Sequence, residues 1–316
     1  MVDNINRVNQ VVQEIKKVVI GKDEIIIKVL TAILAKGHIL IEDIPGVGKT
    51  TLALAFSKAM DLNYHRMQFT PDVLPSDVVG FHLYDKNGQA PVFKEGSVFC
   101  NLFLADEINR TSSKTQSALL EVMEEGKVTV DAITREMPKP FIVIATQNPI
   151  GSVGTQMLPE SQLDRFMVRL SMGYPDISSE VEILKGRTTK DPLELVTRVI
   201  GSEDLVYMQQ LVDRVFVHDA VYEYIATLIL QTRENDLISL GVSPRGTLAL
   251  TSMAKAFAFT LGRTYVIPDD VKAVFREVTM HRMVLKPKAR VNNVTLDMLI
   301  HQILGSVIAP KLVIKH

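Results

Sequence analysis

The sequence predicts an α/β core over residues 1–186, a parallel sheet with helices on both faces, followed by an all-α domain over 203–316. Three observations carry that expectation. Short apolar runs, His38-Ile39-Leu40-Ile41, Leu102-Phe103-Leu104-Ala105 and Phe141-Ile142-Val143-Ile144-Ala145, are separated by helical patterns, as parallel strands buried on both faces would be. From about residue 203 the strand signals fade, and apolar residues recur at three- and four-residue spacing, as in Val221, Tyr224, Ile225 and Leu228. A chain of 316 residues with 47% hydrophobic and 22% charged residues has the size and apolar content for two folded domains.

Along the chain, the first apolar run leads into a Pro-Gly turn at Pro45-Gly46. The stretch from Gln68 to Gly96 breaks the α/β rhythm with Pro71, Pro75, Gly80, Gly88 and Pro91. It reads as an insertion over about 71–99, with an Asp85-Lys86-Asn87-Gly88 turn that closes a small hairpin. A second hairpin joins Lys127-Val128-Thr129-Val130 to Thr134-Arg135-Glu136-Met137. Met167-Val168-Arg169-Leu170 is a further strand candidate, and 187–202 reads as a linker. Helical spacing then marks 203–215, 219–234, 245–261, 268–283 and 295–308, with Pro268-Asp269-Asp270 as a helix start.

Composition excludes several classes. A net charge of −1 does not make a surface that attracts polyanions everywhere. One cysteine, Cys100, allows no internal disulfide and no multi-cysteine zinc site, and fits a reducing compartment. The seven histidines include no close pair at metal-ligand spacing. The polar start Met1-Val2-Asp3-Asn4 is unlike a signal peptide, and no apolar run is long enough to span a bilayer. The expectation is a soluble, cytoplasmic protein.

The sharpest motif is Glu42-Asp43-Ile44-Pro45-Gly46-Val47-Gly48-Lys49-Thr50-Thr51, between a strand run and the helix start Leu52-Ala53-Leu54-Ala55. That strand–loop–helix context is what a phosphate-binding P-loop needs. Backbone N–H groups of the loop and helix N-terminus face the phosphates, Lys49 reaches the outer ones, and the Thr50 oxygen binds Mg²⁺. Asp43 stands where the general pattern has its first glycine, so its carboxylate must point away from the phosphates. Asp106 and Glu107 end the second strand run, at the sheet edge where ligands of open α/β sheets bind. Asp106 is placed to hold Mg²⁺ through its water shell, and Glu107 to orient and deprotonate an attacking water. The third strand run ends in Thr146-Gln147-Asn148-Pro149, where Asn148 holds that water or senses the γ-phosphate, or else only caps the next turn. Arg165 is either a surface ion-pair residue or a finger reaching a neighbouring subunit's phosphates. Ser243-Pro244-Arg245-Gly246 opens a helix, and Arg245 either belongs only to that helix start or comes over the phosphates as a lid closes.

With these motifs in this order, the chain resembles the AAA+ ATPases, and within them the MoxR branch. The residues that carry the likeness are Ile41 to Thr50, Leu104 to Arg110, Lys114 to Glu121, Ile144 to Pro149, Leu158 to Phe166 and Ser243 to Gly246. The resemblance covers nearly the whole chain. It implies a P-loop AAA+ core with a helix-2 insert at about 71–99, a pre-sensor-1 hairpin at about 127–137 and an all-α lid. It implies Asn148 as sensor 1, Arg165 as arginine finger and Arg245 as sensor 2, with Ile20 and Gly21 lining the adenine pocket. It further implies Mg²⁺ and ATP at subunit interfaces of a homo-oligomeric ring, typically a hexamer. A partner with a von Willebrand factor A domain and a chaperone role in metal insertion or complex assembly are also implied.

Two other readings stand beside this one. A nucleic-acid motor needs cationic hairpin tips. Here the insert sets Lys86 and Lys94 against Asp72, Asp77, Asp85 and Glu95, and the second hairpin with its flanks sets Lys127, Arg135 and Lys139 against Glu124, Glu125, Asp131 and Glu136. Neither favours a polyanion. The stretch from His281 on is more basic, with Arg282, Lys286, Lys288, Arg290, Lys311 and Lys315 against Asp297, and reads as a solvated bundle face or as a contact for an acidic partner or a nucleic acid. A non-hydrolysing nucleotide scaffold is opposed by the presence of Lys49, Thr50, Asp106, Glu107, Asn148, Arg165 and Arg245 together.

Overall fold

A computed structural model of the chain describes residues 2–83, 91–148, 157–186 and 191–311. The expected Asp85–Gly88 turn, Pro149, linker residues 187–190 and Lys315 lie outside the described residues. In chain order the helices are α1 (Val2–Lys16), α2 (Asp23–Leu34), α3 (Lys49–Ala59), α4 (Pro75–Val79), α5 (Ser113–Glu125), α6 (Glu160–Leu163), α7 (Ile177–Gly186), α8 (Ser202–Asp213), α9 (Asp219–Glu234), α10 (Pro244–Thr260), α11 (Pro268–Thr279), α12 (Pro287–Val291) and α13 (Leu296–Ser306). The strands are β1 (Ile39–Glu42), β2 (Tyr64–Gln68), β3 (Phe81–Leu83), β4 (Val92–Lys94), β5 (Leu102–Asp106), β6 (Lys127–Val130), β7 (Ile133–Glu136), β8 (Ile142–Gln147), β9 (Val168–Leu170), β10 (Ile238–Leu240) and β11 (Val284–Leu285).

The main sheet runs β2-β5-β8-β1-β9, and every neighbouring pair is parallel. Its inner strands are apolar at nearly every position because alternate residues serve two cores. Ile39 and Ile41, Leu102 and Leu104, Ile142 and Ile144 pack toward α1–α3 and the second domain. Leu40, Phe103, Ala105, Val143 and Ala145 pack toward Leu119, Leu120 and Met123 of α5. Register pairs Glu42 with Gln147 and Gln68 with Asp106, so four polar strand ends share one edge of the sheet.

Strand β2 was absent from the apolar runs, since Tyr64-His65-Arg66-Met67-Gln68 lies at the sheet edge and is only half-buried. Asp131 and Ala132, with φ of 51° and 62°, make a two-residue turn. Strand β7 therefore starts at Ile133, one residue earlier than the sequence expectation.

The second domain is helical, with a small antiparallel pair β10-β11 that its helical spacing did not announce. The end of the linker is packed rather than loose. Val196 and Ile200 are buried, and the Val199 N–H donates to the Ala59 carbonyl at 2.8 Å. Ion pairs Lys28–Glu277 at 2.6 Å and Arg7–Asp204 at 2.9 Å further tie the domains together. Among the described residues no helix is long and apolar enough to cross a membrane.

Candidate active site

Between β1 and α3 the chain turns through Gly46 and Gly48, whose φ values of 87° and 93° suit glycine. A Cβ at Gly46 would meet nothing within 4 Å, so the loop leaves open space on that side. Helix α3 starts at Lys49 without a side-chain cap, which leaves its first N–H groups for an anion. The Lys49 ammonium donates to the carbonyls of Asp43 at 2.7 Å and Ile44 at 3.1 Å. Burial pulls its pKa down, while the charges of Asp43, Asp106 and Glu107 oppose that shift. Thr50 and Thr51 follow, half-buried, in the first turn, and Val47 packs on the core.

Asp43 turns its carboxylate away from the loop, as its place in the motif required. One oxygen accepts from the Ile44 N–H at 2.9 Å, and the other from the Gly173 N–H at 2.7 Å and the Ser171 hydroxyl at 3.0 Å. Burial opposes its charge, but these bonds prevail and hold the carboxyl below the usual aspartate range. The P-loop is thereby fastened to the chain leaving β9. The same segment receives the turn at Ile20-Gly21. A Cβ on Gly21 would stand 2.1 Å from the Ser179 hydroxyl, and Lys22 donates to the Tyr174 carbonyl at 2.9 Å.

At the ends of β5 and β8 the acids are held in a polar mesh. Thr146 donates to Asp106 at 2.6 Å and accepts the Glu107 backbone N–H at 2.8 Å. Arg66 of β2 bonds the other Asp106 oxygen at 2.7 Å. Glu107 sits at φ 56°, a left-handed conformation unfavourable for a residue with a side chain. Its carboxylate accepts from Asn148 at 3.0 Å on one oxygen, and from Gln68 at 2.8 Å and Arg110 at 2.9 Å on the other. Burial works against the charge, yet the Arg110 and Asn148 bonds keep the carboxyl below the usual glutamate range. A charged, oriented carboxylate beside a buried ammonium is suited to taking a proton from water.

Lys49, Asp106, Glu107 and Asn148 are thus brought together. Arg165 and Arg245 are not with them. Arg165 donates to the Leu120 carbonyl at 2.8 Å and pairs with Glu124 at 3.1 Å, near the C-terminal end of α5. Arg245, at the start of α10, pairs with the other oxygen of the same Glu124. The neighbouring Met123 carbonyl meets His38, which leads into β1, at 3.0 Å. Both arginines therefore occupy the sheet edge where β1 and β9 begin, opposite the P-loop. In this structure Arg245 pairs with Glu124 and does not lie over the phosphate loop of its own chain. The lid helix docks on the far edge instead.

Sequence reasoning missed Arg66 and Gln68, because β2 is too polar to read as a strand. It assigned no role to Arg110 or Thr146, although both lie within the quoted motifs. It also missed Ser171, Gly173 and Glu124, which only tertiary contact reveals. Arg282, counted in a basic surface stretch, is 4% exposed and belongs to the interior.

The model of the ATPase family associated with various cellular activities (AAA) matches residues 38–168, and an AAA lid domain model matches 230–303. YeaC of Bacillus subtilis is 45% identical over 299 residues, covering 95% of this chain and 93% of that protein. Chaperone MoxR1 of Mycobacterium tuberculosis is 36% identical, covering 97% of this chain and 83% of that protein. The crystal structure of a candidate ATPase from Cytophaga hutchinsonii superposes with a TM-score of 0.89 at 36% identity, covering 97% of this chain and 96% of that one.

Proposed function

The chain belongs to the MoxR family of AAA+ ATPases, and from that premise we propose that it hydrolyses Mg²⁺-bound ATP and uses the cycle to remodel a protein partner. The observation that carries this reading is the Glu107 carboxylate, charged and held by Asn148, Gln68 and Arg110 on the same edge as Lys49. In the proposed reaction the Gly46–Thr51 backbone N–H groups and the Lys49 ammonium bind the phosphates. Glu107 accepts a proton from the water attacking the γ-phosphorus, and Asn148 keeps that carboxylate oriented.

The Thr50 hydroxyl and the Asp106 carboxylate, the second steadied by Thr146 at 2.6 Å, are hard oxygen donors of the kind magnesium takes. Bound there, the ion would neutralise charge on the phosphate oxygens. The Ile20-Gly21 turn, sharing the 171–179 segment with the P-loop, is proposed to border the adenine.

Arg165 and Arg245 sit on the far edge, so the phosphates they serve are those of an adjoining copy. Such head-to-tail contacts generate closed rings when the rotation closes. The ring is proposed to be a hexamer, working with a von Willebrand factor A domain protein in metal insertion or complex assembly. The name of its relative, Chaperone MoxR1, supports a chaperone role.

The reading is tested with Glu107→Gln, which keeps the shape of the side chain and loses the base. The variant is expected to bind ATP and to stall hydrolysis. Turnover equal to wild type would remove Glu107 from the chemistry.

A further inference from the structure

Arg282, in the turn after α11, donates in five directions, which uses every N–H a guanidinium has. Its Nε bonds the Asp164 carboxylate at 2.7 Å, and Nη2 bonds the carbonyls of Asp164 at 3.0 Å and Phe166 at 2.7 Å. Nη1 bonds the Met167 carbonyl at 3.1 Å and that of Val278. Four of these five bonds fall on the residues that bracket Arg165.

Asp164 faces the lid twice. Its second oxygen accepts from the Ser243 hydroxyl at 2.8 Å, and the same hydroxyl caps α10 by accepting the Gly246 N–H at 3.1 Å. A Cβ added to Gly246 would stand 2.7 Å from Cδ of Arg282 and 2.5 Å from Cγ1 of Val242. Glycine therefore lets α10 close on the Arg282 stem, two residues from the start of the helix that carries Arg245. Glu124 completes the circuit by pairing with both Arg165 and Arg245.

We propose that Arg282 is the positioning residue of this edge: through Asp164 and Ser243 it sets Arg165 and Arg245 side by side, so that one copy presents both to the phosphates bound by the next. The inference rests on the reading that these arginines act between copies. It also gives the Ser243-Pro244-Arg245-Gly246 turn a second purpose beyond starting a helix.

The test uses Arg282→Lys, with Asp164→Asn and Gly246→Ala as further variants in case the buried lysine does not fold. Each folded variant is assayed for binding of a fluorescent ATP analogue, for turnover at saturating ATP, and for turnover after mixing with an equal amount of Glu107→Gln chain. Affinity for the analogue is expected to stay within about twofold of wild type. Turnover should fall by up to about 100-fold, the loss that a misplacement of about an ångström can cause. Mixing should restore turnover several-fold, because the variant's intact P-loop then meets correctly placed arginines on the Glu107→Gln copy.

Wild-type turnover in the folded variants would overturn the proposal. So would a loss that mixing fails to relieve while the loss in Arg165→Ala is relieved, since the defect would then be general to the fold. If mixing does not relieve Arg165→Ala either, the between-copies reading itself falls, and the positioning role with it.

Discussion

Asp43→Asn tests how the unusual P-loop is anchored. The carboxylate accepts from Gly173 and Ser171 on one oxygen and from Ile44 on the other, at 7% exposure. An amide offers one acceptor oxygen and one NH₂. Whichever way it lies, one backbone N–H, that of Gly173 or Ile44, faces a donor and loses its partner. A hydrogen bond to a charged group contributes about 1.5–3 kcal/mol, so the loss should be about 2–3 kcal/mol. At about 1.5 °C per kcal/mol, which ~2.1 cal/mol/K per residue gives for 316 residues, the melting temperature should fall by about 3–5 °C.

The sign of the pH dependence follows from the depressed carboxyl. The stabilisation is full above the ordinary aspartate value of 3.8 and is lost as pH falls through the lower folded value. The gap between wild type and variant should therefore be full at pH ~7 and should narrow only below pH ~4. Thermal melts by circular dichroism without nucleotide give the numbers, and nucleotide titration should show weaker binding because the loop is less preorganised. A melting temperature within ~1 °C of wild type at neutral pH would refute the anchoring argument. A gap that stays constant in acid would do the same.

Removing the Lys49 ammonium in Lys49→Ala should abolish tight nucleotide binding, read by equilibrium titration. Arg165→Ala should bind ATP nearly as wild type does and lose turnover on the order of a thousandfold, as removal of a finger acting between subunits does. Because Glu107 is held below the ordinary glutamate value of 4.5, the acid limb of the turnover profile should lie below that pH. The base must be ionised to act, so a limb well above 4.5 would point to another group.

How much of this was legible in the sequence depended on what makes each signal local. The buried strands β1, β5 and β8 announced themselves, because burial on both faces requires apolar runs. Lys49, Thr50, Asp106 and Glu107 were readable because loop, strand end and helix start lie within a few residues of each other. Strand β2 escaped because an edge strand keeps a polar face, and with it went Arg66 and Gln68, which hold Asp106 and Glu107. The partners of Asp43 could not be read either, since Ser171 and Gly173 lie 128 and 130 residues away. For the same reason Arg282 resembled a surface residue. Its five acceptors are mostly backbone carbonyls, and these leave no trace in side-chain patterns. The placement of Arg245 beside Arg165 on the far edge depends on where the lid docks, which helical spacing does not specify.

The most direct test of the account is the ATP hydrolysis rate per chain as a function of protein concentration, with Glu107→Gln as control. The account predicts a rate that climbs with concentration as copies complete one another's sites, reaches a plateau once the ring is full, and is absent from the variant. Hydrolysis that persists in Glu107→Gln would contradict it.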